Sequence, residues 1–70
     1  MKLLYQQDDC APDSLERFHK AFSAITGYSF LDWYNNIATR LENDYNIIYS
    51  DGIYQIECSA DDPYWKLFQL

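Results

Sequence analysis

The 70-residue sequence has little positive charge: five Lys or Arg stand against eleven Asp or Glu, for a formal net charge of -6. Nonspecific phosphate binding needs clustered Lys and Arg, so this balance argues against a nucleic-acid-binding protein. Glycine is scarce. Gly27 and Gly52 are the only two, which excludes a Gly-rich phosphate-binding loop. His19 is the single histidine, and no His/Cys cluster with zinc spacing exists. No run of 18 apolar residues is present, so no helical membrane span is expected. The start, Met1-Lys2-Leu3-Leu4-Tyr5-Gln6-Gln7, turns polar after five residues and does not read as a signal peptide. A cytoplasmic location is therefore the expectation, with Cys10 and Cys58 as free thiols behaving as small apolar residues. Valine is absent too, yet hydrophobic residues make up 49% and aromatics 19%. That content is too high for a disordered chain and sufficient for one small core.

The apolar pattern implies a single α+β domain over residues 1–70, in the order β-α-α-β-β-(β), with two helices packed on one face of an antiparallel sheet. Residues 1–7 alternate as a short strand, and Pro12 ends any regular pattern before the first helix. Asp13-Ser14-Leu15-Glu16 reads as a capping box opening a helix over 14–26. Its buried stripe is Leu15, Phe18, Phe22 and Ile25, and Gly27 follows as the C′ residue. A second helix, capped by Ser29, is expected to bury Phe30, Tyr34, Ile37, Leu41 and Tyr45. Asp51-Gly52 between two apolar runs predicts a type I′ hairpin in which Ser50 faces Ile53 and Tyr49 faces Tyr54. Residues 64–70 read as a closing strand, with a short helix capped by Asp62 as the alternative.

Catalysis finds little support. His19 falls among Glu16, Arg17, Lys20 and Ser23, a solvated position with no residue to orient its ring toward Cys10 or Cys58. Asp8-Asp9 and Asp61-Asp62 are carboxylate pairs, but their spacing matches no cation loop, and beside prolines such pairs form turns. No catalytic set, cofactor or metal is therefore expected. Two helices followed by a hairpin have the order of a winged helix-turn-helix. The reading helix, however, would carry only Arg40 against Asp32, Glu42 and Asp44, and the wing tip Ser50-Asp51-Gly52 has no base.

What remains is a pattern of acids and aromatics. Acidic residues gather at Asp8, Asp9 and Asp13, at Asp32, at Glu42 and Asp44, and at Asp61 and Asp62, with basic residues scattered singly. On the expected helix, Asp32 and Glu42 would lie about 15 Å apart on the polar stripe. Tyr28, Trp33, Tyr64 and Trp65 are expected to be partly exposed, and exposed aromatics anchor interfaces. The profile resembles in type the small acidic inhibitors of phages and mobile elements, such as anti-CRISPR and anti-restriction proteins that occupy nucleic-acid channels. That resemblance implies a non-enzymatic DNA mimic, monomeric or homodimeric, that covers a basic surface of a larger, nucleic-acid-handling protein without binding nucleic acid or membrane itself. The binding residues would be Asp8, Asp9, Asp32, Asn36, Glu42, Asp44, Asp61, Asp62, Tyr64 and Trp65. An antitoxin or regulatory subunit acting through an aromatic face or sheet edge is the alternative.

Overall fold

A computed structural model describes residues 1–8, 11–42 and 45–70, with the backbone alone at Glu42. Five antiparallel strands form one sheet: β1 (Lys2–Gln6), β2 (Thr39–Glu42), β3 (Asn46–Ser50), β4 (Tyr54–Ser59) and β5 (Lys66–Gln69). Their spatial order is β1-β5-β4-β3-β2, and each paired neighbour runs antiparallel. Helix α1 (Ser14–Thr26) and the shorter α2 (Phe30–Asp32), which continues as a π-helical turn over Trp33–Ile37, pack on this sheet. The chain is thus a small α+β fold with one strand more than the pattern predicts.

Helix α1 ends where Gly27 adopts φ +81 and returns its N–H to the Ser23 carbonyl, 3.0 Å away. Its start differs from expectation. Asp13 occupies the N-cap position without a side-chain capping bond and instead meets the Arg17 guanidinium at 3.3 Å. Phe18 and Phe22 are fully buried, whereas Leu15 and Ile25, one helical step to either side, are exposed. The aromatic pair fills the space over the sheet, so the buried stripe is narrower than the apolar one.

The second helix departs most from its periodicity. It stops at Ile37; residues from Thr39 pair antiparallel with β3 at the sheet edge, so Leu41 and Tyr45 are exposed and lie on no helix. Asp32 and Glu42 therefore do not share a polar stripe, and Arg40 lies on the sheet with its guanidinium 5.7 Å from the Tyr49 ring centroid. The winged helix-turn-helix order accordingly has no long reading helix. The π turn aims Trp33 inward. Fully buried rather than partly exposed, Trp33 donates its indole N–H to Asp51 Oδ2 at 2.8 Å.

The hairpin also differs from its sequence signal. Ser50 faces Gln55 and Tyr49 faces Ile56, two positions beyond the expected register. A type I′ turn on Asp51-Gly52 requires positive φ at both residues, but only Gly52 has it, at +89. Gly52 and Ile53 are therefore the central pair, while Asp51 accepts from the N–H groups of Ile53 (2.8 Å) and Tyr54 (2.7 Å). Because the slip is two residues, no side chain changes face. Residues 66–69 form the closing strand, as their alternation suggests.

Among the described residues, five of the seven buried core residues are aromatic: Phe18, Phe22, Phe30, Trp33 and Tyr49, joined by Ile56 and Leu67. Edge-to-face contacts link them, as between Phe22 and Phe30 at 5.3 Å and 88°. Large rings thus fill most of the core of this Val-free chain.

Candidate functional site

Strand pairing decides which acidic segments meet. Gln6 at the end of β1 faces Lys66 at the start of β5, Lys66 faces Glu57 near the end of β4, and Asn46 at the start of β3 faces Ser59. Strand β2 ends beside them, with Glu42 opposite Ile47. The chain leaving β1, the β4–β5 connection and the end of β2 therefore occur at one end of the sheet. Four strand spacings of ~4.8 Å make that rim about 20 Å wide. The described carboxylates of these segments are Asp8, Asp13, Asp61 and Asp62, and in the sequence segments 8–13, 42–44 and 61–62 hold no Lys or Arg.

Within this rim, Asp8 is exposed and lies 3.9 Å from Arg17. Asp61 is exposed. Asp62 is partly covered: its Oδ1 accepts the Tyr64 N–H at 3.4 Å, and its other oxygen meets the Lys66 ammonium. That ammonium holds the Asp62 carboxyl below its ordinary value. Tyr64 and Trp65 are half-buried at the same end, where Gln7 and Trp65 exchange two bonds: Gln7 N–H to Trp65 O at 2.9 Å and Trp65 N–H to Gln7 Oε1 at 3.0 Å. Trp65 packs inward against Phe18 and Tyr49. Asp9 and Asp44, with Cys10, lie outside the described residues, as does the Glu42 side chain.

Asp32 and Asn36 are not brought to this rim. Both are exposed on the second helix, where Asn36 donates to Asp32 at 2.8 Å. That helix leads into β2 at the opposite end, beside the hairpin. Tyr45, 71% exposed, belongs to the rim instead, and its carbonyl accepts the Ala60 N–H at 3.0 Å. Sequence reasoning placed Tyr45 in a helix core, and only the strand assignment of residues 46–50 hinted otherwise. The basic residues are less scattered than they read: Arg17 serves Asp8 and Asp13, Lys20 meets Glu16 at 3.3 Å, and Lys66 meets Asp62.

Two recesses accompany these features. One of about 200 Å³ adjoins the rim and is lined by Asn46, Glu57, Cys58, Ser59 and Lys66; Cys58 carries a free thiol, which donates to the Pro63 carbonyl at 3.5 Å. The other, about 380 Å³, runs between the helices over His19, Phe30 and Leu31. His19 is not simply solvated: its ring stacks on Phe30 at 4.1 Å, and burial pushes its pKa below the ordinary value. Among the described residues, no group of three or more His, Cys, Asp or Glu is arranged to hold a metal ion. No helix is long and apolar enough to cross a membrane.

No family model, curated protein or solved structure matches the chain.

Proposed function

We propose that the chain is a non-enzymatic inhibitor that uses the acidic rim to cover a basic, nucleic-acid-binding surface of a larger protein. Its carboxylates would stand in for phosphates, as in DNA mimics of the anti-CRISPR or anti-restriction kind. The observation that supports this reading is the meeting of three acidic segments at one end of the sheet. Electrostatic attraction from such a rim speeds encounter, and Tyr45, Tyr64 and Trp65 supply contact area. A cytoplasmic site of action fits this role.

The test is capture from native host lysate by the intact protein, with the captured species identified and its affinity measured across salt concentrations. Asp8→Lys together with Asp61→Lys should weaken capture of a nucleic-acid-handling protein at least tenfold, whereas Asp32→Lys should change it little. Equal capture by all three proteins would remove the rim from the mechanism.

A second reading is an antitoxin-like or regulatory subunit that associates through its sheet. The sheet face away from the helices favours it, with Leu3 beside Phe68 at one edge and Leu41 beside Ile48 at the other, Leu3 and Leu41 being exposed. Sedimentation distinguishes the two: a stable dimer lost on Leu41→Lys supports the subunit, and a monomer supports the inhibitor.

A further inference from the structure

Residues 38–42 carry two conflicting signals. Phe30, Tyr34, Ile37 and Leu41 are spaced for one continuous helix, and Arg40, Leu41 and Glu42 are good helix formers, none of them among the strand-favouring β-branched or aromatic residues. Thr39 alone in β2 prefers a strand. The chain nevertheless leaves the helix after Ile37 without a stop signal. There is no Gly, no Pro and no left-handed residue between Ile37 and Glu42. The helix instead widens into its π turn, the Ala38 N–H bonds the Trp33 carbonyl at 2.8 Å, and Ala38 turns extended at φ -74, ψ 144. Its φ suits a helix already, so at Ala38 itself the two forms differ in ψ, and alanine is the residue most at ease in a helix.

Little burial holds the strand form. Strand β2 is four residues long, lies at the sheet edge, and has Thr39, Arg40 and Leu41 exposed. Its ladder to β3 and the Arg40–Tyr49 contact tie it to the sheet. Local preference and global fold thus oppose each other over a short span, the condition for two states separated by a few kcal/mol.

We propose that residues 38–42 are a two-state segment hinged at Ala38: an edge strand in the main state, and a continuation of the second helix in a minor one. In the helical state β2 leaves the sheet and the outer edge of β3, Asn46–Ser50, loses its strand partner. The device converts a capped sheet edge into an open one.

Carbon relaxation dispersion on the intact protein tests this. It should reveal a minor state at Ala38–Leu41, populated at roughly 0.1–10%, whose Cα shifts are helical. Thr39→Ala, which removes the strand-favouring residue, should raise that population roughly threefold or more, and Leu41→Val should lower it. The near-ultraviolet signal of buried Trp33 reports whether each variant keeps its core. Absence of a minor state, a minor state with random-coil shifts, or identical populations in both variants would overturn the proposal, because simple edge fraying gives those results.

Discussion

Asp51 shows how much one side chain organises. Its carboxylate accepts from the Trp33 indole and from the Ile53 and Tyr54 amides, which joins the second helix to the hairpin. Partial burial opposes ionisation, but the three donors outweigh it and hold the Asp51 pKa below its ordinary value. Asp51→Ala should therefore destabilise the fold by about 1–3 kcal/mol in urea unfolding at neutral pH. The folded pKa is depressed, so this contribution is present above the unfolded value of 3.8 and is lost as pH falls through the folded one. The variant should accordingly lose less stability than the wild type on acidification below about pH 4. A double-mutant cycle with Trp33→Phe should return a coupling of about 0.5–3 kcal/mol, and strict additivity would show that the indole bond is idle.

His19 shifts in the same direction for a different reason. Burial against Phe30 disfavours its charged form, so the unfolded chain binds its proton more readily. Stability should fall as pH drops below the unfolded pKa near 6.5, and His19→Phe should flatten that part of the curve, measured by thermal unfolding between pH 7.5 and 5.

At the scale of elements, the hairpin turn rests on one glycine. Gly52 has φ +89 and open space around its Cβ position, so the cost of Gly52→Ala is backbone strain alone. It should amount to about 1 kcal/mol or slightly more in chemical denaturation, with the sheet retained. The turn also shows what the sequence can and cannot reveal. Asp-Gly between apolar runs signals a hairpin, and alternation fixes which residues face the core. Whether Asp51 enters the turn or caps it depends on the Trp33 contact, a tertiary matter. Helix α1 was legible because Gly27 ends it and Phe18 and Phe22 share a face. Strand β2 was hidden because its residues favour a helix and only pairing with β3 makes them a strand. The acidic rim was legible as composition but not as a site, since antiparallel topology brings together segments more than fifty residues apart.

For the whole molecule, charge is unevenly distributed while the core is mostly aromatic and is drawn from the helices and from β3, β4 and β5. Leu67, fully buried beneath Ile56, should cost about 2–5 kcal/mol as Leu67→Ala, a large part of what a domain this small possesses. Rim substitutions such as Asp61→Lys alter an exposed position and should shift stability by less than about 0.5 kcal/mol. Binding and folding are thus separable by mutation. The direct measurement is the affinity of the intact protein for its captured partner as a function of salt, for wild type and for the Asp8→Lys, Asp61→Lys variant. The account predicts an affinity that falls steeply with salt in the wild type and a shallower slope in the variant. An affinity indifferent to salt, or slopes that coincide, would contradict it.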